Sequence, residues 1–290
     1  VVGNSNAVDI LIQGLEKLEY RGYDSAGIYV TDAPDKGCLV KSVGRIADLR
    51  AKISSDVKGS TGIGHTRWAT HGQATEDNAH PHTSETGRFV LVHNGVIENY
   101  LQIKEEYLQG HKFKGQTDTE IAVHLIGKFV DEDGLSVLEA LKKSLHIIQG
   151  SYAFALVDSQ APDTIYVAKN KSPLLIGVGE GYNMVCSDAM AMIRETSQFM
   201  EIHDKELVVL TKDAITVTDY EGNAIERGTY TAELDLSDIG KGTYPYYMLK
   251  EIDEQPTVMR KLISTYADDE GNITVDPAIV KSVQEADRIY

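Results

Sequence analysis

Along the second half of this chain, apolar stretches of strand length follow one another through short turns. They cover residues 151–158, 164–168, 174–178, 184–187, 206–211 and 214–218. A parallel crossover needs about a dozen residues, usually a helix, whereas antiparallel neighbours need only a tight turn. Most of these stretches lie too close together for crossovers, so antiparallel pairing is expected. Earlier in the chain, Val8, Leu11, Ile12, Leu15 and Leu18 recur at three- and four-residue spacing. That spacing predicts a helix over 5–20, capped by Asn4 or Ser5. Further helices are expected over 46–53, 98–108, 117–131 and 136–148, and strands over 26–31, 39–43, 61–63 and 88–93. Strands in clusters, with helices between them and at the edges, predict an α+β fold of stacked antiparallel sheets covered by helices.

At 290 residues the chain suits one large domain or two modest ones, and 42% apolar with 25% charged residues is ordinary for a globular protein. A net charge of −16 excludes nucleic acid and anionic membrane as partners, because no basic surplus offsets phosphate repulsion. Cys38 and Cys186 provide no disulfide framework and fit a reducing compartment. No apolar run has the length of a membrane span and no signal pattern opens the chain, so a cytoplasmic location is expected. Both ends read as cut: Val1-Val2-Gly3-Asn4 resembles the tail of a strand, and 285–290 stops where an apolar run begins. From Leu234 the texture changes to a linker over 235–245 and an amphipathic segment over 248–263. The expected division is a main domain over 1–233, then 234–290 as a connector and the first helices of a further domain.

Chemistry concentrates in Gly64-His65-Thr66-Arg67-Trp68-Ala69-Thr70-His71-Gly72. The rigid donor fork of Arg67 matches a carboxylate, and Trp68 is a large lid able to exclude water. Together these residues point to a site for a small anionic or zwitterionic molecule. Asn94-Gly95 is by itself a turn signal. A helix is expected to follow it rather than a returning strand, so the pair could instead supply the donors of an oxyanion hole. Thr117 and Glu120 have capping-box spacing. Asp118 between them is favoured by the helix dipole, and is also the carboxylate an α-ammonium would need. His65, His71, His80, His82 and His93 fall within thirty residues of one another, which raises a metal site. No cysteine or helical His pair accompanies them, so hydrogen bonding in a polar loop is the better account and no metal is expected. The loop itself, 72–88, is long enough to be functional. Neither cysteine is placed as a nucleophile, which leaves an anion fork, an ammonium acceptor and an oxyanion hole without the attacking atom.

Tyr20-Arg21-Gly22-Tyr23-Asp24-Ser25-Ala26-Gly27, the Arg67 motif, His80-Pro81-His82, His93-Asn94-Gly95 and Thr117-Asp118-Thr119-Glu120 occur in an order and spacing that resemble a known family. It is the glutaminase domain of the glucosamine-6-phosphate synthase family, a class II (N-terminal nucleophile) glutamine amidotransferase. The stretch Tyr247-Met248-Leu249-Lys250-Glu251-Ile252-Asp253-Glu254-Gln255-Pro256 is similar to that family's connector to a sugar isomerase domain.

The resemblance implies a four-layer αββα sandwich, no cofactor, and the glutaminase half of an isomerising glutamine–fructose-6-phosphate transaminase. Glutamine is the implied substrate, and the released ammonia reaches fructose-6-phosphate in the isomerase domain of a homodimeric parent. By motif position Arg67 would hold the substrate α-carboxylate and Asp118 its α-ammonium. Asn94 and Gly95 would form the oxyanion hole, Trp68 would gate the ammonia path, Thr70 and His71 would line the pocket, and Arg21 would lie beside the nucleophile. In the family that nucleophile is the first residue, a cysteine whose α-amino group is the base. Val1 aligns roughly five residues after it, so the chain as written is expected to be inactive. The alternatives are a sibling amidotransferase, such as the purine-pathway phosphoribosyl enzyme or asparagine synthetase, a glutamine-binding module without catalysis, and a structural half without activity of its own.

Overall fold

A computed structural model of the chain describes residues 1–22, 24–69, 72–232, 244, 246–268, 270 and 272–286. By its internal contacts the chain divides into two compact units, Val1–Asp238 and Ile239–Tyr290. The boundary expected at 233/234 and, apart from Tyr244, the linker expected over 235–245 are outside the described residues or border on them.

The first unit opens with α1 (Ala7–Leu18), β1 (Ser25–Thr31), β2 (Cys38–Val43), α2 (Ile46–Lys52), β3 (Thr61–Arg67), β4 (His82–Thr83) and β5 (Phe89–Ile97). Three helices follow, α3 (Tyr100–Tyr107), α4 (Asp118–Asp131) and α5 (Val137–Ile147). Then come β6 (Gly150–Asp158), β7 (Ile165–Asn170), β8 (Leu175–Val178), β9 (Asn183–Cys186) and β10 (Gln198–Glu201). The last strands are β11 (Glu206–Leu210), β12 (Ile215–Asp219), β13 (Ala224–Ile225) and β14 (Tyr230–Thr231). One sheet has the order β13-β12-β11-β7-β6-β5-β4. Facing it, β2-β1-β3 and β14-β10-β8-β9 are joined through Val2, which bridges Thr61 of β3 and Asn183 of β9. The pairs within both sheets are antiparallel, as the short turns require.

Alternation along the strands sets the layers. Phe89, Leu91, Phe154 and Leu156 point to one face, where they pack with Ile103, Leu125, Phe129 and Leu141 of α3, α4 and α5. Their neighbours Val90, Val92, Ala153, Ala155 and Val157 point the other way and meet Tyr29, Ile63, Ile176 and Met200 of the second sheet. The outer face of that sheet presents Ile28 and Val30 to Ile12 and Leu15 of α1 and to Leu49 of α2. Helices, sheet, sheet, helices is the four-layer αββα arrangement.

Two local expectations are corrected. β5 does not end at Asn94-Gly95 but runs on to Ile97, and the next helix starts only at Tyr100. The nine-residue β6 supplies the reason, because it pairs Asn94 with Ala153 and Gly95 with Tyr152. β3 likewise extends past Ile63 to Arg67, which pairs with Ser25 of β1. The polar stretch 72–88 is partly interior: Asn78, Ala79, His80, His82 and Ser84 are buried.

The second unit contains α6 (Tyr247–Tyr266), which continues through Pro256, and α7 (Pro277–Glu285), whose cap Asp276 accepts the N–H of Ala278. Met248, Ile252, Met259 and Ile263 of α6 are exposed, as expected of a segment too short to bury its own core. Among the described residues no helix is long and apolar enough to cross a membrane.

Phe154 is 1% exposed at the centre of the helix-side core. Phe154→Ala is expected to cost about 3–5 kcal/mol in urea unfolding, whereas the exposed Leu101→Ala stays within about 0.5 kcal/mol.

Candidate functional site

A cavity of about 420 Å³ opens where β3, β5, β9 and the first turn of α4 converge. It falls in the size range of small-molecule sites, roughly 300–1,000 Å³. Residues 63–67 and 184–187 line it, together with Val1, Asn94, Gly95 and Asp118. Arg67, Trp68, Arg21, Asn94, Gly95 and Asp118, spread across the sequence, therefore border one space.

Arg67, the last residue of β3, is 4% exposed. Its Nη1 donates to the Gln73 carbonyl and its Nη2 to the Gly72 carbonyl, each at 3.2 Å, and Nη1 lies 3.8 Å from Asp24 Oδ1. The chain segment after the motif thus folds back and holds the guanidinium at the cavity wall.

Asp118 opens α4 and is as buried as Arg67. Thr117 caps the helix by accepting the Glu120 N–H. Glu120 does not return to complete the expected capping box; its carboxylate accepts the N–H groups of Lys114 and Gly115, each at 2.8 Å. Nor is Asp118 idle. Its Oδ2 accepts the Ile97 N–H at 2.8 Å and its Oδ1 accepts the Thr119 N–H at 2.9 Å. A carboxylate offers about four acceptor sites, so capacity remains for a ligand donor.

Asn94 sits inside β5 with its Oδ1 2.7 Å from His65 Nε2. An amide oxygen only accepts, so Nε2 carries the proton, and the Nδ2 group is what Asn94 has left for the cavity it lines. Gly95 has φ +131°, and a Cβ there would lie 2.2 Å from the Ser151 carbonyl oxygen. Only glycine fits this position.

Four of the five clustered histidines do come together. His65 stacks on His80 with centroids 4.2 Å apart, and His80 meets His82 edge-on at 4.9 Å. The His93 N–H donates to His80 Nδ1, which leaves the His80 proton on Nε2, 3.3 Å from Thr119 Oγ1. Thr119 Oγ1 lies 2.9 Å from His93 Nδ1, and His82 Nε2 lies 3.0 Å from Thr117 Oγ1. The imidazoles work as hydrogen-bonding groups that join β3, β4, β5 and α4. Burial lowers the pKa of His65 to about 4 and takes His80 and His82 well below the usual histidine range, with neighbouring cations adding to the shift. Thr119, the hub between His80 and His93, was not singled out by the sequence; its only signal is its place after Asp118.

The remaining expected residues fall as follows. Arg21 Nη1 donates to Ser187 Oγ at 3.3 Å and lies 4.0 Å from Asp188 Oδ2 at the cavity rim. Trp68 is 69% exposed and rests on Gly22, whose backbone leaves no room for a Cβ beside the indole. Thr70 and His71 lie outside the described residues. Val1 is buried and lines the cavity. Cys186 lines the cavity, but burial raises the pKa of its thiol and so keeps it a weak nucleophile. Cys38 lies in β2 and is absent from the cavity lining.

Residues 65–195 match the family model described as a glutamine amidotransferase domain. The whole chain is 83% identical to the glutamine–fructose-6-phosphate aminotransferase [isomerizing] of Streptococcus mutans and 82% identical to that of Streptococcus pyogenes serotype M1, and covers 48% of each. The corresponding Streptococcus pneumoniae protein is 79% identical, again over 48% of its length. The chain thus spans about half the length of the curated relatives it matches. Among solved structures, the glutamine phosphoribosylpyrophosphate amidotransferase of B. subtilis superposes with a TM-score of 0.66 at 28% identity, covering 77% of this chain and 49% of that one. A structure described as the allosteric regulatory enzyme of purine biosynthesis gives 0.66 at 29% identity, over 77% and 48%.

One expectation is overturned. These residues were expected to be the glutaminase half of an isomerising glutamine–fructose-6-phosphate transaminase, an enzyme. The match to the relatives runs through all 290 residues, yet the only cysteines are Cys38 and Cys186 and none stands near Val1. The nucleophile that the activity requires is absent from these residues.

The folded pKa of His65, about 4, lies below the ordinary 6.5, so the unfolded chain binds a proton that the folded chain refuses. Its contribution to stability is therefore complete above pH 6.5 and lost as pH falls towards 4. Urea midpoints measured between pH 7 and pH 4.5 are expected to fall with acidity, and less so in His65→Asn. Gly95→Ala is expected to lower thermal stability by about 1–3 kcal/mol through overpacking against β6.

Proposed function

Because the chain belongs to the class II glutamine amidotransferase family, as the glutaminase domain of glutamine–fructose-6-phosphate aminotransferases, we propose that its cavity binds L-glutamine. In this reading the site is prepared for a nucleophile that these residues do not themselves supply. The observation that carries it is a buried cation and a buried anion, Arg67 and Asp118, on the wall of one cavity that also presents Asn94 and Gly95. A free amino acid is a zwitterion, and a site for it needs one charge of each sign at separate places.

Arg67 pairs with the α-carboxylate and Asp118 with the α-ammonium, each through charge-assisted hydrogen bonds. The side-chain amide then lies against Asn94 Nδ2 and the Gly95 N–H. These donors are preorganised for the oxygen that gains charge when the amide carbon becomes tetrahedral. His65 contributes by occupying Asn94 Oδ1, which settles the direction of the amide donors. Trp68, on the open side, moves over the bound substrate and steers ammonia, and Arg21 sits beside the incoming nucleophile.

Within a longer protein, the ammonia would reach fructose-6-phosphate and give glucosamine-6-phosphate in the cytoplasm. Residues 1–233 then form the glutaminase domain, 234–290 the connector and start of an isomerase domain, and two copies associate. Identities of 78–83% to the hexosamine enzymes, against 28–29% to the purine-pathway structures, favour this acceptor over a phosphoribosyl one.

Titration calorimetry with L-glutamine is expected to show one site per chain. Arg67→Ala should weaken it by about 10–100-fold, the worth of one or two hydrogen bonds to a charged group, and Asp118→Asn by about tenfold or more. The 290 residues alone should release no ammonia, whereas a chain that begins Cys-Gly-Ile-Val-Gly before Val1 should. Failure of both chains to bind glutamine would overturn the assignment.

A further inference from the structure

Away from the cavity, the fold gathers a second set of chemistry-bearing side chains that the glutamine site does not use. One imidazole nitrogen each from His111 and His124 and one carboxylate oxygen of Glu85 lie within 4.8 Å of one another. Glu85 comes from the segment before β5, His111 from the turn after α3, and His124 from the middle of α4. Sequence spacing could not associate them, because three separate elements supply one ligand each.

The details are those of a metal site. His124 is 2% exposed, and its Nδ1 has no hydrogen-bond partner, a costly state for a buried polar atom. Its ring is fixed by stacking on Phe113 at 4.7 Å. His111 Nδ1 lies 2.8 Å from Glu85 Oε2 without the geometry of a hydrogen bond. On its other side, His111 Nε2 lies 3.2 Å from Glu132 Oε1. A carboxylate against one ring nitrogen favours the proton there and turns the lone pair of the other outward, the usual support for a metal-bound histidine. Glu85 is steadied in turn through Oε1, which accepts the Lys112 N–H at 3.2 Å. An imidazolium held between Glu85 and Glu132 would explain His111 alone; it would leave the buried nitrogen of His124 without a function.

We propose that Glu85, His111 and His124 form a structural site for a divalent transition metal, Zn²⁺ in the first instance, with Glu132 orienting His111. Two imidazoles and a carboxylate suit Zn²⁺ better than Ca²⁺ or Mg²⁺, which take oxygen ligands. Tetrahedral Zn²⁺ bonds of about 2.1 Å place ligand atoms about 3.4 Å apart. Closing from the observed spread asks for a shift of the exposed Glu85 side chain, and solvent supplies the fourth ligand. The bound ion clamps the turn after α3 onto α4, about 9 Å along the helix from Asp118. It thereby holds the element that carries the ammonium acceptor of the proposed glutamine site.

The test uses tag-free, chelator-stripped protein titrated with Zn²⁺ and, separately, Co²⁺. One equivalent of Zn²⁺ should bind by calorimetry and raise the melting temperature, and Co²⁺ should develop the visible absorption of a four-coordinate ion. His111→Gln and Glu85→Gln, with circular dichroism checking that each folds, should weaken binding about a hundredfold or more, and Glu132→Gln about tenfold. The exposed His203→Gln should bind as the parent does. Absence of stoichiometric binding, or binding that survives both His111→Gln and Glu85→Gln, overturns the site.

Discussion

The Ile97 N–H donates to the carboxylate of Asp118, and this one bond joins the last residue of β5 to the first turn of α4. Both ends of the bond are buried, so neither group has water as an alternative partner. Asn94 and Gly95 sit on the strand side of the bond, and Asp118 is the helix side. Their separation is therefore set by a strand backbone N–H that holds the Asp118 carboxylate directly. The β5–β6 ladder fixes the strand over nine residue pairs, and Thr117 fixes the helix start by capping it. A site built across a strand end and a helix start in this way is rigid before any ligand arrives.

Around that bond the protein buries several imidazoles where most cores would place leucine. Desolvation makes the charged forms unfavourable, and mutual proximity adds to the effect, so the rings stay neutral at pH 7. A neutral imidazole has one donor and one acceptor, which suits a directional chain of hydrogen bonds. His80 accepts from the His93 backbone and faces Thr119, and His65 donates to Asn94. The cluster thus fixes the orientation of a catalytic-type amide without bringing charge near it. This also explains why the polar segment 72–88 folds inward: its histidines find partners there that solvent would otherwise provide.

How much of this was legible beforehand depended on the range of the interactions. The helix of Ala7–Leu18 and the strands of the second half followed from local periodicity, and packing across two sheets followed from their short connections. The continuation of β5 through Asn94-Gly95 was not legible, because the dipeptide's turn preference is overridden by a partner strand more than fifty residues away. β10 was missed although Phe199 and Met200 are core residues, since Gln198–Glu201 is too short to show a period. Arg67, Asn94, Gly95 and Asp118 were recognisable from motif chemistry. Thr119 as a hub, and the meeting of Glu85 with His111 and His124, arise only when distant elements pack.

A buried guanidinium on a cavity wall looks out of place for an anion in a chain with net charge −16 until distances are considered. Surface carboxylates farther away than about 8–10 Å are screened by salt and contribute little inside the cavity. What counts is the local set: Arg67 with the carbonyls of Gly72 and Gln73 and with Asp24 close by. These partners offset part of the cost of burying the cation. Asp118 is handled in the same way, through N–H donors and not through a cation. With both charged side chains on the wall of one cavity, the proposed amino-acid site is compatible with the acidity of the rest of the chain.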